Sequence, residues 1–332
     1  MTCVQRGVKQ IVTKVTRARR VRVTYDAARL GLAQTEADRR RHRCRGSPLL
    51  GSAFVAIIVL LALLLLMRIG QAFTNWDGAD FEVYRRAAAS WVSSGNPYAY
   101  AGDSGLATYR YAPWFAALWI PFGGVPREPL LIGWVIVLLG MTAAIMVSLV
   151  RQHGPVAIPL ALLGGCLLVS TTAGGNIQAL LVGALYFGIH RRSGPFWVGV
   201  AASIKIFPIL YVIPWLRQGE WRKAAMAVGV MAALYAPLLL FRLPPAALDP
   251  GAEYWPSTWL WAGVAVAAVV AAVVVARTRY AWLAAGAATI LTIPRLLAVD
   301  YSMILPAVGP SADRVGSDRV LVGRHVERVD GA

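Results

Sequence analysis

Apolar runs long enough to cross a bilayer recur along this chain, and they constrain its fold more than any other feature. Crossing roughly 30 Å of hydrocarbon takes about 20 apolar residues in a helix. Of the 332 residues, 58% are hydrophobic and only 15% are charged, whereas a soluble domain has about 25% charged residues. The sequence therefore predicts an all-α integral membrane protein, built as a multi-helix transmembrane bundle.

Positive charge is concentrated at the start of the chain. Residues 1–49 contain 13 Lys and Arg against three Asp and Glu, a net charge of +10 out of +17 for the whole sequence. Basic segments beside apolar spans fix topology and attract anionic lipid. We predict a cytoplasmic N-terminal tail that contacts membrane lipids and not nucleic acid. The protein is then a multi-pass protein of the plasma (inner) membrane.

Composition divides the chain into three regions. The basic tail, residues 1–49, precedes a transmembrane domain over residues 50–308, in which residues 70–112 form a large outer loop. Residues 309–332 form a polar tail whose composition differs sharply from the domain before it. A truncated or frameshifted end would explain that change.

The outer loop is predicted to carry a short helix from Asp80 to Ser93, ended by Gly95. Four of its residues recur at helical spacing and make an apolar-aromatic face suited to a membrane interface: Phe81, Tyr84, Ala88 and Trp91. Asp80 stands at the start of the helix, where a carboxylate can cap free N–H groups.

One later segment raises a question of topology. Basic residues flank Phe196–Leu216 on both sides, and Lys205 and Pro208 lie near its middle. Two half-helices that enter the membrane and return would satisfy both observations, because broken backbone is tolerated at membrane depth when it lines a cavity. The last span is predicted over Ala281–Val299.

Asp77, Asp80 and Glu82 place three carboxylates in six positions just beyond the first span, in a chain poor in acidic residues. A carboxylate there can act as general base on a hydroxyl. The alternative is a helix cap with solvated neighbours.

Lys205 is the second candidate, since a lysine within an apolar stretch costs about 2.5–3.5 kcal/mol and usually faces a cavity or partner. Its partner could be an anionic lipid phosphate or an internal ion pair. The amides of Asn176 and Gln178 could bind a hydroxyl-rich ligand or satisfy a helix end. Arg110, Arg295 and Asp300 suit either ion pairing or anion binding. Cysteines and histidines are scattered, so no metal site is predicted.

Taken together, five motifs resemble glycosyltransferase family 87. In chain order they are Asp80-x-x-Val83-Tyr84, Gly95-Asn96-Pro97-Tyr98, Tyr109-x-Tyr111-x-Pro113, Gly175-Asn176-Ile177-Gln178-x-Leu180-Leu181, and Gly199 with Lys205 and Pro208. The resemblance covers roughly residues 51–305.

This resemblance implies a GT-C-type fold and an inverting hexosyltransferase that uses a polyprenyl-phosphate sugar, with mannose as the expected sugar. The acceptor would be a lipid or glycan at the outer face of the membrane, and no cofactor is expected because the lipid-linked sugar is itself the donor substrate. By position, Asp80 would be the catalytic base and Lys205 a contact to the donor phosphate. Asn176, Gln178, Tyr84, Arg110 and Asp77 would complete substrate binding.

The chain departs from the family pattern in two places. The family more often shows Gly-Gln-x-Asn where this chain has Gly175-Asn176-Ile177-Gln178, and it usually continues through further spans beyond Tyr301. The second departure leaves an inactive truncated paralogue open as an alternative. The other alternative is a secondary transporter or flippase of a lipid-linked substrate, which a broken helix around Lys205 and an outer carboxylate cluster would also suit.

Overall fold

A computed structural model of the chain describes residues 48–74, 77–99, 108–243 and 255–310. The chain divides into two compact units, residues 1–57 and 58–332. In the first unit the described part is the beginning of one helix. All regular secondary structure in the described residues is helical, which confirms the predicted fold class.

The described residues form eleven α-helices and several 3₁₀ segments. The α-helices are α1 (Pro48–Thr74), α2 (Ala79–Ser94), α3 (Pro113–Ala117), α4 (Arg127–His153), α5 (Ile158–Val169), α6 (Gln178–Gly188), α7 (Gly194–Ile204), α8 (Val212–Arg217), α9 (Trp221–Tyr235), α10 (Thr258–Val275) and α11 (Ala281–Leu291). The 3₁₀ segments are Ile120–Phe122, Pro155–Ala157, Phe207–Tyr211, Ala236–Leu240 and Ala298–Val308. The last of these is called the C-terminal 3₁₀ segment.

Four helical stretches are long and apolar enough to cross a membrane. They are Ser52–Thr74, Arg127–His153, Trp221–Leu240 and Thr258–Val275. Many large apolar side chains on these stretches face outward, among them Leu60 at 67% exposure and Trp259 at 87%. Extensive apolar surface of this kind is favourable in contact with lipid and unfavourable in contact with water. The chain is therefore a multi-pass membrane protein.

Helix α6 lies at the centre of the second unit. It packs against α4, α7 and the C-terminal 3₁₀ segment, and eight of its 11 residues are buried. The other three, Leu180, Ala184 and Phe187, are half-buried and lie on one face. A helix that is apolar on all sides is usually buried within the protein. The position of α6 matters for function because its first turn forms part of the candidate site.

The predicted break around Lys205 is present. Helix α7 ends at Ile204, and Lys205 has extended backbone (φ −126°, ψ 123°). The chain then resumes as the 3₁₀ segment Phe207–Tyr211, which contains Pro208. The missing N–H of a proline and the restriction it places on the preceding residue both disfavour a continuous α-helix here.

Two sequence expectations need correction. The predicted span Ala281–Val299 ends at Leu291, because Pro294 cannot continue the helix. The apolar-aromatic face of α2 is buried inside the protein: Phe81 and Tyr84 are fully buried. Both rings pack against Trp119, at centroid distances of 5.4 and 5.6 Å, so this face serves as protein core.

The start of α2 is bound to the turn that precedes α6. The Gly78 N–H donates to the Ala173 carbonyl at 3.2 Å, and the Phe81 N–H donates to the Gly174 carbonyl at 3.0 Å. Gly175 has φ +74°, and a Cβ there would lie 2.6 Å from the Phe81 Cβ. This close approach requires glycine.

We expect Gly175→Ala to destabilise the protein more than Gly95→Ala. Both glycines have φ +74°, but a Cβ at Gly95 meets no atom within 4 Å. Gly95→Ala should cost about 1–2 kcal/mol for the left-handed backbone, and Gly175→Ala should cost a further ~1–3 kcal/mol for overpacking. Apparent unfolding temperatures of the two variants in lipid check this, and equal shifts would contradict the docking contact.

Candidate active site

Two of the three predicted carboxylates, Asp77 just before α2 and Asp80 in its first turn, face the turn before α6. A Cβ at Gly174 would lie 3.7 Å from both Asp77 Oδ1 and Asp80 Oδ2. The Asp77 carboxylate accepts the Ala79 N–H at 3.3 Å, and its main-chain carbonyl accepts from Arg127 at 2.8 Å. The helix begins at Ala79, after Gly78 in left-handed conformation with no side-chain cap bond to it. Asp80 is thus the second residue of the helix and not its N-cap. The expectation that its carboxylate caps the helix is wrong.

Asp80 is held by the amide of Asn176. Asn176 Nδ2 donates to Asp80 Oδ2 at 2.9 Å, and its Oδ1 accepts the Gln178 N–H at 2.9 Å. One side chain therefore satisfies the start of α6 and orients a carboxylate from α2. Of the two roles considered for this amide, satisfying a helix end is present. The bond to Asp80 is a contact that the sequence did not predict.

The environment of Asp80 raises the pKa of its carboxyl group. Burial is the largest cause, and the nearby charge of Asp77 raises the pKa further. The hydrogen bond from Asn176 and the positive charge of Lys205 act in the opposite direction. A raised pKa makes a carboxylate a stronger base once it has lost its proton.

Lys205 points from the helix break into a polar cluster. Its Nζ donates to Gln178 Oε1 at 2.7 Å and to Asp300 Oδ1 at 3.3 Å. The Lys205 side chain is 22% exposed, whereas that of Asp300 is 3% exposed. The internal ion pair considered for Lys205 is thus present, and its ammonium also acts electrostatically on Asp80.

Two tyrosines border the carboxylates. The Tyr84 hydroxyl accepts the Ile177 N–H at 3.3 Å, and its ring packs edge-on against Tyr111 at 5.4 Å. Burial raises the pKa of the Tyr111 phenol, and the charges of Asp80 and Asp300 raise it further, while Arg110 lowers it. Tyr111 therefore lies within the field of both carboxylates and stays protonated.

Glu82, the third carboxylate of the cluster, is engaged elsewhere. Its oxygens lie 2.8 Å from Arg86 Nε, 3.8 Å from Arg85 Nη1 and 3.9 Å from Arg127 Nε. The three guanidinium groups hold this carboxylate in an ion-pair network.

The structure gathers most of the predicted site residues into one cluster. Asp80, Asn176, Gln178, Lys205 and Tyr84 are linked by the contacts above, Asp77 flanks Asp80, and Arg110 acts on the adjacent Tyr111. Sequence analysis did not select Tyr111, although it stands in the Tyr-x-Tyr-x-Pro motif. It left Asp300 undecided, because no local signal shows which cation a distant carboxylate will meet.

Within the described ranges, no three side chains of His, Cys, Asp or Glu are grouped so that they could hold a metal ion. None of these residues is therefore assigned as a metal ligand.

An apolar groove reaches the site at Ile177, between the two amides. Its wider part, about 680 Å³, is formed by α3, α4 and the start of α6, with Trp114, Leu118, Gly133 and Trp134 among its walls. A second cavity of about 390 Å³ shares Ile177 and Leu180 and extends along α6 to Gly188 and Arg191. We call the two cavities together the α6 groove.

Comparison with known proteins agrees with the motifs. Residues 109–249 match the family model of glycosyltransferase family 87. The matched residues include Arg110, Asn176, Gln178 and Lys205. The match confirms the resemblance to glycosyltransferase family 87 over these residues, and that family implies a membrane glycosyltransferase. No curated protein and no solved structure matched the chain.

The Asn176–Asp80 hydrogen bond predicts a shift in the pH dependence of activity. Asn176→Ser keeps an oxygen that can cap α6 but loses the donor to the Asp80 carboxylate. Since that donor stabilises the charged form, its loss should raise the Asp80 pKa further. If Asp80 must be ionised for transfer, the acid limb of kcat/KM against pH should move to higher pH in the variant. An unmoved limb, with stability retained, would contradict this role of Asn176.

Proposed function

We propose that this chain is an inverting glycosyltransferase with a GT-C-type fold, transferring a sugar from a polyprenyl-phosphate donor to a lipid or glycan acceptor. Mannose is the proposed sugar. The observation that carries the proposal is the pairing of a base and a cation in one site: Asp80, oriented by Asn176, within the field of Lys205.

The chemistry assigns Asp80 to the acceptor. Its carboxylate takes the proton of the acceptor hydroxyl as the oxygen attacks the anomeric carbon of the sugar. A new carbon–oxygen bond forms on one face, and the bond to the phosphate oxygen breaks on the other. The electron pair leaves with the polyprenyl phosphate, so the anomeric configuration is inverted.

Lys205 is assigned to the leaving phosphate. An ammonium group has three N–H donors, and within the described residues two of them meet Gln178 and Asp300. The third can donate to a phosphate oxygen and stabilise the charge that develops there. Gln178 is fully buried, so we assign it to orienting Lys205, with Tyr84, Tyr111, Arg110 and Asp77 around the sugar.

The α6 groove supports a lipid-linked donor. Its lining is almost wholly apolar, and α6 itself has 11 residues, which gives the groove a length of about 16 Å. An isoprenoid chain lying there would place its phosphate beside the Asn176–Gln178 turn. A nucleotide-linked donor offers no apolar tail for such a groove.

The ends of α4 and α6 support a site at the outer face. Arg127, at the start of α4, contacts Asp77 of the site, and α6 begins at Gln178. The far ends of the two helices lead into Arg151 and into Arg191-Arg192. Basic ends mark the cytoplasmic side, and this supports the proposed cytoplasmic N-terminus.

We expect Asp80→Asn to abolish transfer while Glu82→Gln does not. Loss of a general base should lower kcat at least about 100-fold, whereas Glu82 sits in a partly exposed ion-pair network of small energetic value. The measurement is transfer of label from polyprenyl-phosphate-[¹⁴C]mannose to a membrane-lipid extract by protein in lipid. Equal labelling by wild type and Asp80→Asn would remove Asp80 from the mechanism, and no labelling by folded wild type would overturn the mannose donor.

We further expect Gly133→Leu to weaken binding of a long-chain donor. Gly133 lines the groove, and a Cβ there would meet no atom within 4 Å, so we expect a leucine to extend into the groove. The KM for a long-chain donor should rise about tenfold, equivalent to roughly 1.4 kcal/mol of lost apolar contact.

Two controls accompany this variant. Gly140→Leu lies two turns further along α4, also in open space and outside the groove lining, and should leave KM unchanged. A short-chain donor should be used equally well by both variants. A KM for the long-chain donor that is the same in both would contradict the groove as its binding site.

A further inference from the structure

Asp300 is a buried carboxylate on the C-terminal 3₁₀ segment, far along the chain from the other site residues and outside the segment that matches the family model. Its residue exposure is 2%. Because an isolated buried charge is very unfavourable, such a group needs partners. Its partners here show what it does.

Each oxygen of Asp300 has a distinct partner. Oδ2 accepts the Leu297 N–H at 2.9 Å, which fixes the carboxylate relative to its own backbone. Oδ1 lies 3.3 Å from Lys205 Nζ. The carboxylate is thus anchored at one end and presents the other to the lysine at the break after α7.

The surroundings of this segment restrict its movement. It packs against α5, α6 and α11. Gln178 Nε2 is 3.5 Å from Ser302 Oγ, and the Tyr211 hydroxyl donates to the Met303 carbonyl. The start of α6 and the 3₁₀ segment that follows the helix break are therefore both connected to this segment.

We propose that Asp300 is a positioning residue for Lys205: the carboxylate holds the ammonium so that its remaining N–H faces the leaving phosphate. This inference rests on the proposed function. Lys205 lies just after the end of α7 and has extended backbone. Its long side chain is therefore not ordered by neighbours in a continuing helix. Gln178 and Asp300 supply that order, one by a neutral acceptor and the other by a charged one.

The inference predicts that the effects of Asp300 and Lys205 on catalysis are not independent. Asp300→Asn, close in shape, should lower kcat/KM by roughly 10- to 100-fold, and Lys205→Gln by about 100-fold or more. In the double variant, Asp300→Asn should add no further loss, because the group through which it acts is gone. Asp300→Glu should restore most of the activity.

The test is this double-mutant cycle, measured with polyprenyl-phosphate-[¹⁴C]mannose on protein in lipid, with unfolding temperature recorded for each variant. Glu220→Gln is the matched control: it removes the carboxylate from another lysine pair, Lys223 Nζ to Glu220 Oε1 at 2.8 Å, and should leave kcat/KM unchanged. If Asp300→Asn fails to fold, Lys205→Gln compared with the double variant still decides, since equal kcat/KM supports the inference.

The outcomes separate the inference from the proposed function. Active wild type with an unaffected Asp300→Asn, or with losses that multiply in the double variant, overturns the positioning role alone. Folded wild type that transfers no sugar from any polyprenyl-phosphate donor overturns the proposed function and this inference with it.

Discussion

The site depends on one contact between backbones, the docking of the first turn of α2 on the turn that precedes α6. Two N–H groups of α2 donate to the carbonyls of Ala173 and Gly174, and Trp134 fixes the Gly175 carbonyl from α4 at 2.7 Å. The absence of a side chain at Gly175 lets Phe81 approach. The rest of the site depends on this docking contact, because it brings Asp80 within hydrogen-bonding distance of Asn176.

Charge balance explains why so polar a cluster is stable next to apolar helices. Burial of a carboxylate is costly unless hydrogen bonds and opposite charge compensate it. Asn176 and Lys205 compensate Asp80 only in part, since its pKa stays raised, whereas Asp300 has both an ion pair and a backbone N–H. The two carboxylates near Lys205 have different roles in the proposed mechanism: Asp80 takes a proton, and Asp300 holds the cation.

Patterns in the sequence were sufficient for the class of fold and for the helix break at Lys205. Apolar run length and a lysine beside Pro208 are local signals, and the physics behind them acts locally. Long-range partners were harder to predict. The sequence around Tyr84 does not show that this face of α2 packs against Trp119 and not against lipid. The sequence around Asp300 does not show that its carboxylate pairs with Lys205. Contacts between residues that are far apart in the chain depend on how the helices pack. The local spacing of apolar residues does not determine that packing.

We propose that Asp80 activates the acceptor for a single direct displacement at the anomeric carbon. The most direct test is the configuration of the transferred sugar, determined by NMR on the glycolipid product formed from a polyprenyl-phosphate donor of known anomeric configuration. The account predicts inversion, because the acceptor oxygen attacks opposite the departing phosphate. Retention of configuration would contradict it, since that result requires two displacements and a nucleophile that this arrangement does not assign.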